Sequence, residues 1–400
     1  LDVNSNRLIN LPAPASPNDA ARLADVQAST NANPLPDPAG QSGEFLRNDG
    51  ETAYWDAVTK DIVGLGNVDN TSDALKPIST ATNVELSKKA SYVNTFTALA
   101  LLSPTEGEVF VCVERANAEY IVQAAGYTAL AGDVTFANGR VAKLSTSSTI
   151  QAAWFGLSSS NSNTQNDTAL ASVASRYLLE NTRYLRYRIE LPAGRFLYNA
   201  FNIGNAGTET GLLNGRVIVF GQGPLNTQLV CTAASGDALK VTSGRVLLED
   251  FSITSDGVNR SASVGAGSGI SIDATDGSTP ATVTVAKFEI NNVEVASQPA
   301  DGIELINVEL LSMSGVTSEN NGAYGYNING VNYSGAVKGI SNLATNCRAL
   351  GNGSDGYRVT LVSECTFINC QSLENDGDFQ FWSNGRGTKL INPDVEGKTG

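Results

Sequence analysis

A chain of 400 residues is too long for one ordinary hydrophobic core and suits two or three domains, or one domain of a repeating kind. Its 26 Lys and Arg against 40 Asp and Glu leave a net charge of −14, which disfavours nucleic acid as a partner. No run approaches the ~20 apolar residues of a membrane helix, which excludes membrane insertion by helices, and no His is present, which excludes Ser-His-Asp and Cys-His nucleophile systems and His-based metal sites.

Any acid–base chemistry therefore rests on Asp, Glu, Lys or Tyr. Cys112, Cys231, Cys347, Cys365 and Cys370 lie far apart, without CxxC spacing and in odd number, so they read as buried reduced thiols. No metal and no cofactor is called for.

The chain opens LDVNSNRLINL, short and strand-like, without Met or a basic-then-apolar leader, and reads as part of a longer polypeptide. SPNDAARLADV follows as a helix, with Ser16 as cap, Pro17 in the first turn and Asp19 completing a capping-box pattern. A strand and one short helix cannot make a core, so association with copies of itself is expected. GEFLRNDGETAYWDAV and GLGNVDNTSDALKPIST (residues 64–80) come next. These phrases, in this order, resemble the stalk, adaptor and linker modules of tailed-bacteriophage tail fibres and tailspikes. The resemblance implies that residues 1–95 are a virion-anchoring, trimerising region that attaches to phage tail or baseplate proteins.

Residues 96–150 alternate polar and apolar in GEVFVCVERANAEYIVQAAG and GDVTFANGRVAKLS, which predicts a small β domain with Gly and Asn turns. After WFG at 154–156, NDTALASVASRYLLE has helical spacing in Leu170, Val173, Ala174, Tyr177 and Leu178, with Asn166 or Asp167 as cap. RYRIELPAGRFLYN then reads as strand, turn, strand. Together these phrases resemble the entry to the pectate-lyase-like right-handed β-helix of phage tailspikes, in which the helix caps the open end of the solenoid. Residues 151–400 are assigned to that domain.

Beyond residue 215 the chain is a series of short period-2 runs. Ile303, Tyr326, Tyr357 and Phe379 recur at steps of 23, 31 and 22 after similar corners, TSENNG, ALGNGSDG and SLENDG. Val293, Val316, Cys347 and Cys370, and Ile290, Met313, Ala344 and Phe367, both step 23, 31 and 23. Columns with matching steps predict a parallel β-solenoid with rungs about 4.8 Å apart and an insertion around VNYSGAVKG. A β-sandwich also offers many short strands, but antiparallel hairpins would not keep like residues at a common step. In the last corner Asn375 and Gly377 are expected to permit the turn.

If those columns face inward, Glu304, Asn327, Arg358 and Gln380 form one outward stripe, joined by Lys240 and Ser271. With Trp382 or Tyr324 nearby, this surface suits sugar hydroxyls and ring stacking. Glycoside hydrolysis needs two carboxyl groups. Asp301 and Asp355, two rungs apart across Tyr324, form one candidate pair, with Glu304 adjacent; Glu319 and Glu374 read as a second pair across Gly351. A turn role for Asp301 and Asp355, each preceding Gly, is the competing reading. The expected protein is a homotrimeric tailspike, carried on the virion tail and assembled in the host cytoplasm, that recognises host surface polysaccharide and degrades it or only adsorbs.

Overall fold

The computed structural model describes residues 2–4, 7–9, 15–16, 36, 39–40, 42, 44–48, 50–59 and 90–400, apart from 147, 181–186, 205–215, 244, 263–265, 274–286, 309, 334–335, 339–341, 361, 363, 383–386 and 398–400. Two units result, Leu1–Thr82 and Asn83–Gly400. In the first, Asp2–Asn4 pairs antiparallel with Arg7–Ile9, and Glu44–Asn48 with Ala53–Ala57. The second pairing carries an Arg47–Asp56 ion pair at 3.2 Å, and Trp55 Nε1 donates to the Pro36 carbonyl at 3.1 Å. Residues 17–26 of the expected helix and the 64–80 stretch lie outside the described residues.

The second unit begins with a five-stranded sheet in the order Ser91–Val93, Val109–Cys112, Ala118–Val122, Val141–Leu144, Val134–Thr135. Strict alternation in AEYIV buries Ala118, Tyr120 and Val122 and exposes the residues between them. A 3₁₀ turn, Ala152–Phe155, and a helix, Asn163–Glu180, follow.

The helix starts earlier than its apolar spacing suggested. Ser162 and Gln165 form the capping box: Gln165 Oε1 accepts from Ser162 N at 2.9 Å, and Gln165 N donates to Ser162 Oγ at 3.4 Å. Asn166 and Asp167, expected as caps, lie within the helix and reach the adjoining rung. Asn166 Nδ2 donates to the Leu197 carbonyl, and Asp167 accepts from Asn199 N at 2.7 Å. Leu170, Val173, Ala174 and Tyr177 are buried, whereas Leu178 is exposed, because it falls one step off the apolar stripe. Arg176, fully buried, pairs with Asp133, just ahead of Val134–Thr135, at 2.8 Å and also donates to the Leu144 carbonyl.

The remainder is a parallel β-helix. One long sheet runs through Thr149–Gln151, Arg188–Glu190, Arg216–Phe220, Arg245–Ser255, Lys287–Ala296, Leu310–Ser314, Asn342–Thr345, Cys365–Ile368 and Lys389–Ile391, with neighbours parallel. A second face stacks Phe201–Gly204, Leu239–Thr242, Ile270–Asp273, Ile303–Val308, Tyr326–Tyr333, Asp355–Thr360 and Gly377–Trp382. The register matches the sequence columns: Ile303↔Tyr326↔Tyr357↔Phe379 on this face and Ile290↔Met313↔Ala344↔Phe367 on the other. The extra length of the 31-residue rung emerges as Ala336–Lys338, antiparallel to the far end of Tyr326–Tyr333.

Inside, Tyr326 and Tyr357 stack at 4.7 Å between ring centroids, and Tyr357 and Phe379 at 4.5 Å. Equal spacing of strands and rings lets one column bury aromatic area without voids. All five cysteines are buried and free, as their spacing implied.

The repeated corner has a second cause besides chain reversal. Asn321 Nδ2 donates to Asn352 Oδ1 at 2.8 Å, and Asn352 Nδ2 donates to Asn375 Oδ1 at 2.7 Å, all three side chains being buried. The turn itself is made one residue earlier, where Asn320, Gly351 and Glu374 have φ of 54°, 62° and 54°. Asn375 therefore carries the ladder, not the turn, and Gly377 keeps negative φ.

Candidate functional site

The outward side of the Phe201–Trp382 face carries two parallel columns. One contains Lys240, Ser271, Glu304, Asn327, Arg358 and Gln380, each in register with the next. The other, ahead of each strand, holds Ser268, Asp301, Tyr324, Asp355 and Gly377, linked by Gly269 N to Asp301 O, Gly302 N to Tyr324 O and Gly325 N to Asp355 O. Asp237 enters the same column through its side chain, whose Oδ1 accepts from Ser268 N at 3.0 Å.

Gly302 and Gly356, between the two columns, are not reversal residues, since neither has positive φ. A Cβ at Gly302 would strike Ser318 Oγ, and one at Gly356 would strike Ser372 Oγ. These serines bond to Asn321 and Asn375 of the ladder. The Asp-Gly pairs thus follow from close packing of the ladder behind the outer face.

Three carboxylates meet on the upper rungs. Asp301 is buried; its Oδ2 accepts from Asn327 Nδ2 at 2.7 Å and its Oδ1 from Tyr324 N at 3.2 Å. Burial raises its pKa, against the pull of those two donors and of Arg358. Glu304 also has a raised pKa, first from burial and then from the negative charges of Asp301 and Asp237. Its partners are hydroxyls, Ser271 Oγ at 3.3 Å and Ser268 Oγ at 3.5 Å. Asp301 has an amide, a backbone N–H and a cation for its anion, whereas Glu304 faces two like charges.

On the next rungs, Arg358 lies over the Tyr324 ring with its guanidinium carbon 4.8 Å from the centroid. Arg358 Nε and Thr360 Oγ1 are buried without hydrogen-bond partners. Burial raises the Asp355 pKa, Arg358 lowers it and Asp378 raises it.

Sequence reasoning placed Asp301, Glu304, Asn327, Arg358 and Tyr324 in one region, and the fold brings them together. Asp301 and Asp355 do occupy equivalent positions across Tyr324. The expected Glu319–Glu374 pair is not in register: Glu319 pairs with Leu350, which pairs with Leu373, so Glu374 is one residue out of step. Gln380 is in register with Arg358, and Trp382 pairs with Thr360 at the strand end. Asp237 stands two residues before Leu239, as Asp301 does before Ile303, so extending the Asp301 column upward along with Lys240 and Ser271 would have found it. Among the described residues no group of three Asp, Glu or Cys side chains is arranged to hold a metal ion.

No protein-family model matches the sequence, and no curated protein matches it. Solved structures do. The gp42 tailspike of Acinetobacter phage vb_AbaP_AS12 superimposes with a TM-score of 0.51 at 11% identity, covering 77% of this chain and 57% of that one. Tailspike protein 2 of Escherichia coli O157:H7 bacteriophage CAB120 gives 0.42 at 11% identity, covering 89% and 60%, and the Acinetobacter baumannii phage AM24 tailspike protein gives 0.41 at 14% identity, covering 82% and 59%. The chain therefore spans somewhat over half the length of these structures. At such identity the AS12 likeness is one of fold, the parallel β-helix of a phage tailspike.

Proposed function

We propose that this chain is a bacteriophage tailspike or tail-fibre protein that recognises polysaccharide on the host surface and cleaves it. The observation that carries this reading is the outward stripe on the parallel sheet, in which Asp301, Glu304, Asn327, Arg358 and Tyr324 converge. An extended row of carboxyl, amide and guanidinium groups suits a linear ligand rich in hydroxyls, and the net charge of −14 argues against a phosphate backbone. The tailspike fold supports the assignment to a virion tail.

In the cleavage proposed, Glu304, whose pKa is raised by burial and by the charges of Asp301 and Asp237, gives its proton to the leaving glycosidic oxygen. Asp301, held by Asn327 and Tyr324 N, takes a proton from the water that attacks the anomeric carbon. Asp355, across the Tyr324 rung, is the alternative partner of Asp301. Arg358, Gln380, Trp382 and Tyr324 bind the sugar chain, and Asn327, buried beneath them, holds Asp301. Residues 1–95 anchor the protein to the phage tail or baseplate, residues 96–150 form a small β domain and residues 151–400 the β-helix. Three copies assemble in the host cytoplasm before joining the virion.

Incubation with purified capsular polysaccharide tests the reading. New reducing ends indicate hydrolysis and an unsaturated, ultraviolet-absorbing product indicates elimination. Binding without either product would leave an adsorption fibre, and absence of binding to every host polysaccharide would refute recognition itself.

A further inference from the structure

A recess of about 450 Å³ opens where the hairpin of Val109–Cys112 and Ala118–Val122 meets the 3₁₀ turn and the helix. Phe155, Leu157 and Ala169 give it an apolar floor, and Glu114, Arg115 and Gln165 a polar rim. Its size falls within the ~300–1,000 Å³ of small-ligand sites. It is separate from the outward stripe: the helix that walls it bonds to Leu197 and Asn199, and Glu304 stands three strand spacings, about 14 Å, along the stack from Phe201–Gly204.

Arg115 is held in this recess without a polar partner. The Phe96 ring centroid lies 4.3 Å from its guanidinium carbon, and the Gly156 backbone comes so close that a Cβ there would strike Nη1. Among the described residues its guanidinium makes no hydrogen bond or ion pair. The adjacent carboxylate is engaged elsewhere, since Glu114 Oε2 accepts from Phe96 N at 2.6 Å. Arg115 is half-buried, so a ligand can reach it. The corner that presents it places Ala116 and Asn117 at φ of 52° and 59°, a conformation unfavourable for Ala.

The polar groups left over around Arg115 are of both kinds. Gln165 Oε1 accepts from Ser162 N and Oγ at 2.9 and 3.0 Å, which leaves the Nε2 donors. Asn161 Nδ2 donates to the Gly156 carbonyl and to Asn166 Oδ1, which leaves Oδ1 as an acceptor, and Glu114 keeps Oε1. The helix N-terminus is not the source of the site, because the capping box occupies it. A simple anion would suit Arg115 but would meet Glu114. A hydroxyl both donates and accepts, so neighbouring hydroxyls on one ring answer the mixed set, while the ring's carbon face suits the floor.

We propose that this recess is a second carbohydrate site, which takes an uncharged, hydroxyl-rich sugar of mono- or disaccharide size at the mouth of the β-helix. It does not depend on the outward stripe.

Saturation-transfer NMR on the whole chain tests it, with glucose, galactose, mannose, N-acetylglucosamine, maltose and lactose set against glucuronate. At least one uncharged sugar should bind, and more tightly than glucuronate. Arg115→Ala should weaken that binding about tenfold or more, and Arg115→Lys should recover part of it. Thr168→Trp fills the recess from an exposed position and should abolish binding. Thr168 Oγ1 bonds only to the Thr164 carbonyl of its own helix, so this variant keeps the fold, which an unchanged melting temperature verifies. Glu304→Gln should bind the sugar as the parent does. Binding of none of these sugars, or a preference for glucuronate, overturns the inference. So does binding lost in Glu304→Gln and kept in Arg115→Ala, which returns the sugar to the stripe and leaves the polysaccharide reading standing. Sugar held in the recess by a chain that binds no capsular polymer would instead refute the stripe and keep this site.

Discussion

Asn352 accepts a hydrogen bond from Asn321 Nδ2 at 2.8 Å and passes one on to Asn375 Oδ1 at 2.7 Å, across sequence separations of 31 and 23 residues. Its Oδ1 also takes Asn321 N at 3.1 Å, and its own backbone N donates to Asn375 Oδ1 at 2.9 Å. Three corners written alike in the sequence are one continuous buried ladder.

Removing the middle member should therefore cost more than one bond. Asn352→Ala leaves Asn321 and Asn375 with buried polar atoms unanswered, and a loss of about 2–4 kcal/mol is expected. Denaturant unfolding checks it. A loss no larger than that of an exposed Asn such as Asn369 would contradict the ladder's role.

The two stacked tyrosines should respond differently to loss of the hydroxyl. Tyr326 OH donates to the Val316 carbonyl at 2.6 Å and lies 3.0 Å from that of Arg348, whereas Tyr357 OH is buried with only the weakly bonding Cys370 thiol as its neighbour. Tyr326→Phe is expected to cost about 1–2 kcal/mol, and Tyr357→Phe to be neutral within about 0.5 kcal/mol or stabilising. Tyr357→Ala, which opens the centre of the ring stack, should cost about 3–5 kcal/mol. Melting temperatures of the three variants decide the matter.

Arg176 and Asp133 are both fully buried, and Asp133 also accepts from Leu130 N and Leu144 N at 2.9 Å. Breaking this pair with Arg176→Met strands a buried carboxylate between the helix and the five-stranded sheet. A loss of about 3–5 kcal/mol is expected. Hydrogen exchange should show it, with amides of Val141–Leu144 losing protection first.

Burial and like charge raise the folded pKa of Glu304 above its unfolded value. The native state then binds more protons than the unfolded chain, so this group's contribution is present below the unfolded pKa and lost as pH rises through the folded one. Glu304→Gln should accordingly melt higher than the parent protein at neutral pH, and the difference should vanish below pH ~4. Depolymerisation should fall about 10²–10⁴-fold in Glu304→Gln and Asp301→Asn. In the parent it should decline as rising pH removes the Glu304 proton. Full activity in Glu304→Gln with loss in Asp355→Asn would move the acid to Asp355.

The solenoid was legible because stacking makes inward residues recur at the step of the rung, and Tyr326, Tyr357 and Phe379 hold that step through an insertion. The outward neighbours Glu304, Asn327 and Arg358 were legible by the same alternation. The helix cap was misplaced at Asn166 or Asp167 because both are good capping residues. Their actual partners, Leu197 and Asn199, lie in a rung some thirty residues on.

By itself the sequence determined the period of the chain, the inward columns and the absence of His chemistry, since each of these is a local or repeating property. Only the tertiary structure decided that Asn321, Asn352 and Asn375 bond to one another rather than make the turns, that Asp237 joins Asp301 and Glu304, and that Arg358 lies over Tyr324 while its charge acts on Asp301 and Asp355. Those outcomes depend on which side chains reach one another across rungs, and on which buried groups are left without a partner. Both are set by packing between distant segments, not by the order of residues along any one of them.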